Sequence, residues 1–224
     1  MTRPPWPTGF SGVVLAQRSG TTVFERVQGL ADHGRREPCT RGTRFQIASV
    51  SKQFTAAAVL LLAGRGLISL QDRIERWLGT CPAPWRPITV HHLLTHTAGL
   101  GHWQAYPDVD HHRPVPPERL LDLFTRVPLL SAPGAAFSYS GPGYVLLAWI
   151  VEQVSGQPYG RFLAKCIGTA AGQRAYFHSG GNPGYRAVNA WLPDDDVRIA
   201  LCGNDEAADI GQILTQALRE ALAF

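Results

Sequence analysis

Ser49 and Lys52 stand three residues apart where the apolar stretch FQIASVSKQFTAAAVLLLAG (residues 45–64) begins. Of the chain's 21 basic residues, only Lys52 and Lys165 are lysines, so a lysine at this place asks for a reason. A serine at the start of a helix reads first as an N-cap whose oxygen accepts from a backbone N–H one turn on. Position 52 is then N3, where Glu or Gln would complete a capping box. A cation there faces the positive end of the helix dipole, at a cost of about 0.3–1 kcal/mol. Local helix logic therefore argues against Lys52, and chemistry argues for it. Residues three apart share a helix face, which makes the two side chains neighbours. The dipole and partial burial both disfavour an ammonium ion, biasing the lysine toward an amine that can take the serine proton. Arginine cannot do this, because it stays protonated. The pair has the makings of an activated serine nucleophile, with the Ser49 backbone N–H as a donor to a developing oxyanion.

Other clusters read more plainly. His92 and His96 have the i, i+4 spacing of metal ligands, but no acidic third ligand is placed near them, and structural hydrogen bonding is the expectation. The run DVDHH (108–112) and the carboxylates of Asp194, Asp195 and Asp196 read as a solvated loop and a solvated turn. Cys39, Cys81, Cys166 and Cys202 lie far apart with no Cys-x-x-Cys spacing, which points to free thiols rather than a disulfide framework or zinc site. The net charge of +4 is scattered along the 224 residues. With no basic run to track a phosphate backbone, nucleic-acid binding is not expected. No stretch of about 18 apolar residues reads as a membrane span. The start, MTRPPWPTGF, lacks an apolar leader region, so the chain as written is expected in the cytoplasm, or in the periplasm or medium where a leader has been removed.

The elements that must position the serine and lysine alternate in character. Two β-rich runs within residues 10–29, broken at Arg18, Ser19 and Gly20, read as a hairpin. A helix is expected over 49–63, stopped by Gly64 and Gly66. Apolar residues at 67, 70, 74, 77 and 78 follow a helical period, and 88–100, 118–126 and 143–156 read as further helices. After Gly172 the pattern returns to strands, turning at Pro193 and Asp194–Asp196, and an amphipathic helix over about 206–222 closes the chain. Strands at both ends with helices between imply an α+β fold, an antiparallel sheet flanked by helices. The expected division is a sheet lobe of residues 1–48 and 173–224, with a helical lobe of residues 49–172 inserted between strands 2 and 3.

The segments around the serine and lysine resemble the serine β-lactamase and penicillin-binding protein superfamily. The likeness is greatest to its class C-like branch of D-alanyl-D-alanine carboxypeptidases, family VIII esterases and D-amino-acid amidases. FQIASVSKQFTAAAVLLL is similar to that branch's nucleophile segment. LISLQDRIERWL, ITVHHLLTHTAGL, FSYSGPGYVLLAWIVEQVSGQPY and HSGGNPGYRA follow in the family's order. The resemblance implies a β-lactamase/transpeptidase-like fold with a reduced helical lobe. It implies Ser49 as the acylated nucleophile, Lys52 as its partner, and Tyr139 as a phenol sharing the proton transfer. His178 and Gly180 would line the substrate's strand edge, and the Gly181 N–H would complete the oxyanion hole with that of Ser49. The implied reaction is acyl transfer to water on a small ester, amide or peptide, with no metal or organic cofactor.

Two departures qualify that expectation. The second motif reads Tyr139-Ser140-Gly141, so the family's substrate-binding asparagine is replaced by Gly141, which favours esters over substrates that present an amide. Only Thr169–Gly172 separate segments that flank a long stretch in the family, and the family's first helix is missing. The helical lobe should therefore lack one wall, which leaves room for a homo-oligomer in which a neighbouring subunit supplies it. The rival expectations are a binding protein that keeps the fold without turnover, and an acyltransferase in which an alcohol or amine outcompetes water.

Overall fold

The computed structural model describes residues 6, 10–109, 113, 115–166, 178–192 and 196–222. Ser19 and Gly20 both take positive φ, 48° and 77°, the handedness that a tight hairpin between right-twisted strands demands. They join β1 (Gly12–Arg18) to β2 (Thr21–Gln28). Three later strands, β5 (His178–Asn182), β6 (Tyr185–Leu192) and β7 (Val197–Gly203), complete a five-stranded sheet in the order β2-β1-β7-β6-β5. Every neighbouring pair in it is antiparallel. The intervening β3 (Leu30–Asp32) and β4 (Glu37–Pro38) form a separate two-stranded ribbon.

Alternation along the strands sets one face of the sheet against α6 (Ile210–Leu222). Val14 and Ala16 of β1, Val188 and Ala190 of β6, and Val197, Ile199 and Leu201 of β7 pack with Ile213, Ala217 and Ala221. Those three helix residues are four apart, one stripe of an amphipathic helix. Fully burying a side chain such as Ile213 is worth about 1.5–3 kcal/mol, so the stripe is what fixes α6 on the sheet.

The chain divides into two compact units, Met1–Gln53 with Gly172–Phe224, and Phe54–Ala171. The break falls inside α1 (Ser51–Gly64), so Ser49 and Lys52 belong with the sheet. The second unit is helical and contains α2 (Val90–Leu94), α3 (Pro117–Thr125), α4 (Gly141–Ser155) and α5 (Tyr159–Cys166). Its centre is α4, whose Leu146, Leu147, Ile150 and Val151 are completely buried. Their spacing puts the four on the face that α4 buries. Gly156 ends it in the left-handed conformation (φ 65°) with its N–H on the Glu152 carbonyl, a helix stop that glycine suits best.

The helical period at 67–78 does not produce an α-helix. The segment holds a single 3-10 turn, Ile74–Trp77, because its backbone groups are taken by the stretch that follows. Ile74 N–H donates to Ile88 O, Val90 N–H to Asp72 O, and His91 N–H to Leu70 O. The apolar positions from 70 on still pack into the core, with Ile74 and Leu78 buried, while Leu67 is exposed. The region over 88–100 is likewise a five-residue helix followed by a bend at His96 (φ 57°) and Gly99 (φ 79°). Among the described residues no helix is long and apolar enough to cross a membrane. The Thr169–Gly172 connection, most of DVDHH and the turn at 193–195 lie outside the described residues.

Candidate active site

The serine does not cap a helix with its side chain. Ser49 lies in a 3-10 turn, Ala48–Val50, that leads into α1, and Ile47 caps this turn with no side-chain hydrogen bond. Ala48 is held at φ 45°, a left-handed conformation that costs a non-glycine residue roughly 1–2 kcal/mol. Backbone strain of this kind concentrates at sites where geometry matters. The Ser51 hydroxyl secures the turn by donating to Ala48 O at 2.6 Å. This leaves Ser49 Oγ facing Lys52, whose Nζ lies 3.0 Å away, inside the range for direct proton transfer.

Strand β5 runs directly against this turn. A Cβ at Gly180 would stand 2.3 Å from Ile47 O, 2.9 Å from Ser49 N and 3.0 Å from Val50 N, so glycine alone permits the approach. On β6, Ala187 is paired with Gly180 and is buried. Two amide bridges brace the contact: Asn189 Nδ2 donates to Gln53 Oε1 and Asn182 Nδ2 to Gln46 Oε1, each at 3.3 Å. Gln53 in turn donates to Val50 O at 3.1 Å. Side chains alternate along a strand, so Gly181 turns its Cα substituent the other way, toward the Arg186 guanidinium. Ser49, Lys52, Gly180 and Gly181 are therefore gathered within the sheet unit. The side chain of His178 lies outside the described residues.

The second motif is built within the helical unit. Ser140 caps α4, its hydroxyl accepting from Gly143 N–H at 3.1 Å and donating to Gly101 O at 2.9 Å. Two histidines hold the backbone at that cap. His96 Nδ1 accepts from Ser140 N–H at 3.1 Å, and His102 Nδ1 from Gly141 N–H at 3.0 Å. The Tyr139 ring meets both imidazoles, with centroid distances of 4.5 Å to His96 and 5.2 Å to His102. His96 also receives Ser138 N–H on its carbonyl and packs against Tyr144.

Of the neighbouring tyrosines, Tyr106 is buried and Tyr144 half-buried. Burial pushes the Tyr144 phenol up, with the neighbouring Tyr139 phenol acting in the same direction, and burial pushes Tyr106 up to about 12. The Tyr144 hydroxyl is committed to Leu94 O at 3.1 Å, whereas Tyr139 remains 37% exposed. His92 is separate from this group. Its Nδ1 accepts from Thr89 N–H while the His92 backbone N–H donates to Thr89 Oγ1, a capping box at the start of α2.

Sequence reasoning placed His96 only as a partner in a histidine pair and passed over His102 and Trp103. The contacts of His102 and Gly141 span 39 residues, and no local pattern in the sequence records them. What the sequence did offer was the bare fact of a glycine at 141. The indole of Trp103 lies where a side chain there would go.

An antiparallel sheet with a Ser-x-x-Lys turn leading into its adjoining helix defines a class, and sequence comparison agrees with it. The Beta-lactamase family profile matches residues 8–170, and the chain belongs to that family. It is 33% identical over 167 residues to Penicillin-binding protein 4* of Bacillus subtilis (strain 168), a match covering 73% of this chain and 37% of that protein. It is 34% identical over 182 residues to Esterase EstB of Burkholderia gladioli, covering 72% of this chain and 45% of EstB. The chain thus spans less than half the length of these curated relatives. Among solved structures, a penicillin-binding protein from Bacillus halodurans superimposes with a TM-score of 0.78 at 21% identity, covering 96% of this chain and 95% of that one. That likeness confirms the β-lactamase/transpeptidase-like α+β fold.

Proposed function

We propose that the protein is a serine hydrolase that works through an acyl-enzyme on Ser49, with small esters as its preferred substrates. The observation that carries this reading is the 3.0 Å contact between Lys52 Nζ and Ser49 Oγ. The Ser49 hydroxyl passes its proton to the Lys52 amine as Oγ bonds to the acyl carbon. Negative charge builds on the carbonyl oxygen, where the backbone N–H groups of Ser49 and Gly181 receive it. Collapse of the tetrahedral intermediate breaks the bond to the alcohol, which leaves with the proton. Water, deprotonated by the same base, then releases the acid and returns the proton. Tyr139 is assigned the phenol that shares these proton transfers.

Preference for esters is supported by Gly141, which offers no side-chain amide to a substrate amide, and by the esterase name of one relative. The test sets p-nitrophenyl acetate beside nitrocefin with the wild type and Ser49→Ala. Ester turnover that exceeds nitrocefin turnover and disappears in Ser49→Ala is the expected result. Absence of turnover with saturable peptide binding would instead identify a binding protein.

A further inference from the structure

β5 meets the nucleophile turn at its midpoint and is tied to the same segment near both of its ends. Gly180 is the middle residue of His178–Asn182. Its bare Cα faces Ile47 O, Ser49 N and Val50 N. Asn189 of β6 is the register partner of His178 at the start of β5, and Asn182 is the last residue of β5. Their side-chain amides donate to Gln53 Oε1 and Gln46 Oε1 respectively, each at 3.3 Å. The two glutamines bracket Ile47–Val50, the stretch that Gly180 meets. All of these residues belong to the sheet unit. The missing side chain at 180 permits the close approach, and the amide ties are what enforce it.

The two ties differ in kind. Gln46 and Asn182 are exposed, so water competes for their bond. Gln53 and Asn189 are half-buried, and Gln53 carries the tie into the turn by donating its Nε2 to Val50 O at 3.1 Å. Val50 N–H donates to Ile47 O at 3.0 Å, so both backbone groups of the residue after Ser49 are engaged. The direction of this chain of amides is fixed. A carbonyl oxygen only accepts, so the Gln53 NH2 group must face Val50 O, its oxygen must face Asn189, and Asn189 must present its own NH2 group. A residue of the same shape without a donor cannot take that place.

We propose that Asn189 is a positioning residue for the nucleophile, acting through Gln53 to hold the β5–β6 hairpin against the Ala48–Val50 turn. Its effect on the reacting atoms passes entirely through that chain of amides. It sets where Ser49 Oγ stands to Lys52 Nζ and where the Ser49 N–H points, and acyl transfer is sensitive to both. This rests on the hydrolase reading above and names a residue that sustains it.

The experiment measures kcat and KM for p-nitrophenyl acetate, with a thermal melt of each protein. The variants are Asn189→Ala, Asn189→Asp, Gln53→Ala, the Asn189→Ala and Gln53→Ala double, and Asn182→Ala. Asn189→Ala should lower kcat about 10-fold, the upper worth of one neutral hydrogen bond, and leave KM unchanged. That split marks an interaction serving the transition state rather than substrate binding. Asn189→Asp keeps the shape but sets an ionised carboxylate against Gln53 Oε1 above neutral pH, and it should lose at least as much. The double variant should lose no more than Gln53→Ala alone, because the two residues act as one unit. Asn182→Ala should stay close to wild type. Wild-type kcat in Asn189→Asp, losses that multiply in the double variant, a loss in Asn182→Ala as large as in Asn189→Ala, or an effect confined to the melting temperature overturns the inference alone. Absence of ester turnover in the wild type overturns the hydrolase reading and this inference with it.

Discussion

Adding one methyl group at Gly180 should disable the nucleophile without unfolding the protein. The Cβ of Gly180→Ala would sit 2.3 Å from Ile47 O, where ordinary contact begins at 3.4 Å. The turn carrying Ser49, or the strand facing it, must therefore yield by roughly 1 Å, and a displacement of that size costs about 10²-fold in rate. That factor corresponds to about 2.7 kcal/mol of transition-state stabilisation. The assay is kcat/KM for p-nitrophenyl acetate, with a thermal melt to confirm folding. Gly160→Ala is the control, because nothing lies within 4 Å of a Cβ there. Gly160→Ala should match wild type while Gly180→Ala loses about two orders of magnitude. A Gly180→Ala enzyme within threefold of wild type would refute the claim that close approach of β5 fixes the serine.

Removing the His96 imidazole by His96→Ala leaves Ser140 N–H without its acceptor and takes away one face of the Tyr139 packing. An unsatisfied donor of this kind costs about 1–3 kcal/mol of stability, so the melting temperature should fall, and a His96→Ala protein that melts with wild type would refute the reading that this bond holds the second motif. Lys52→Arg keeps the charge but cannot accept the Ser49 proton, and ester turnover should drop to the level of Ser49→Ala. Burial holds the His92 imidazole below its ordinary value, with the neighbouring His91 acting in the same direction. The folded state therefore takes up that proton at lower pH than the unfolded chain. Stability should be intact above about pH 6.5 and decline as the pH falls from there toward the folded-state value. His92→Gln should flatten that decline in melting temperature between pH 8 and pH 5, and parallel curves would remove His92 from the account.

The parts of the fold that local rules determine were legible. Ser19 and Gly20 announced a hairpin because few residues suit two successive positive φ values. Gly156 announced the end of α4 for the same reason. The spacing of Ser49 and Lys52 correctly foretold their adjacency, although the serine sits in a strained 3-10 turn rather than at a helix cap. Where long-range pairing decides, the sequence misled or was silent. Of the periodic residues of 67–78, Ile74 and Leu78 are buried while Leu67 is exposed, and the backbone bonds to Ile88, Val90 and His91 instead of coiling. The asparagine-to-glycine change at 141 was read as a lost amide. The indole of Trp103, brought in from 38 positions upstream by the chain's path, supplies a steric reason that no local window contains.

Covalent capture of Ser49 tests the central claim most directly. A fluorophosphonate probe incubated with the intact protein, followed by peptide mass mapping, should place a single adduct on Ser49, much slower to form in Lys52→Arg and absent from Ser49→Ala. An adduct of undiminished yield in Ser49→Ala, or a wild-type protein that remains unlabelled, would contradict it.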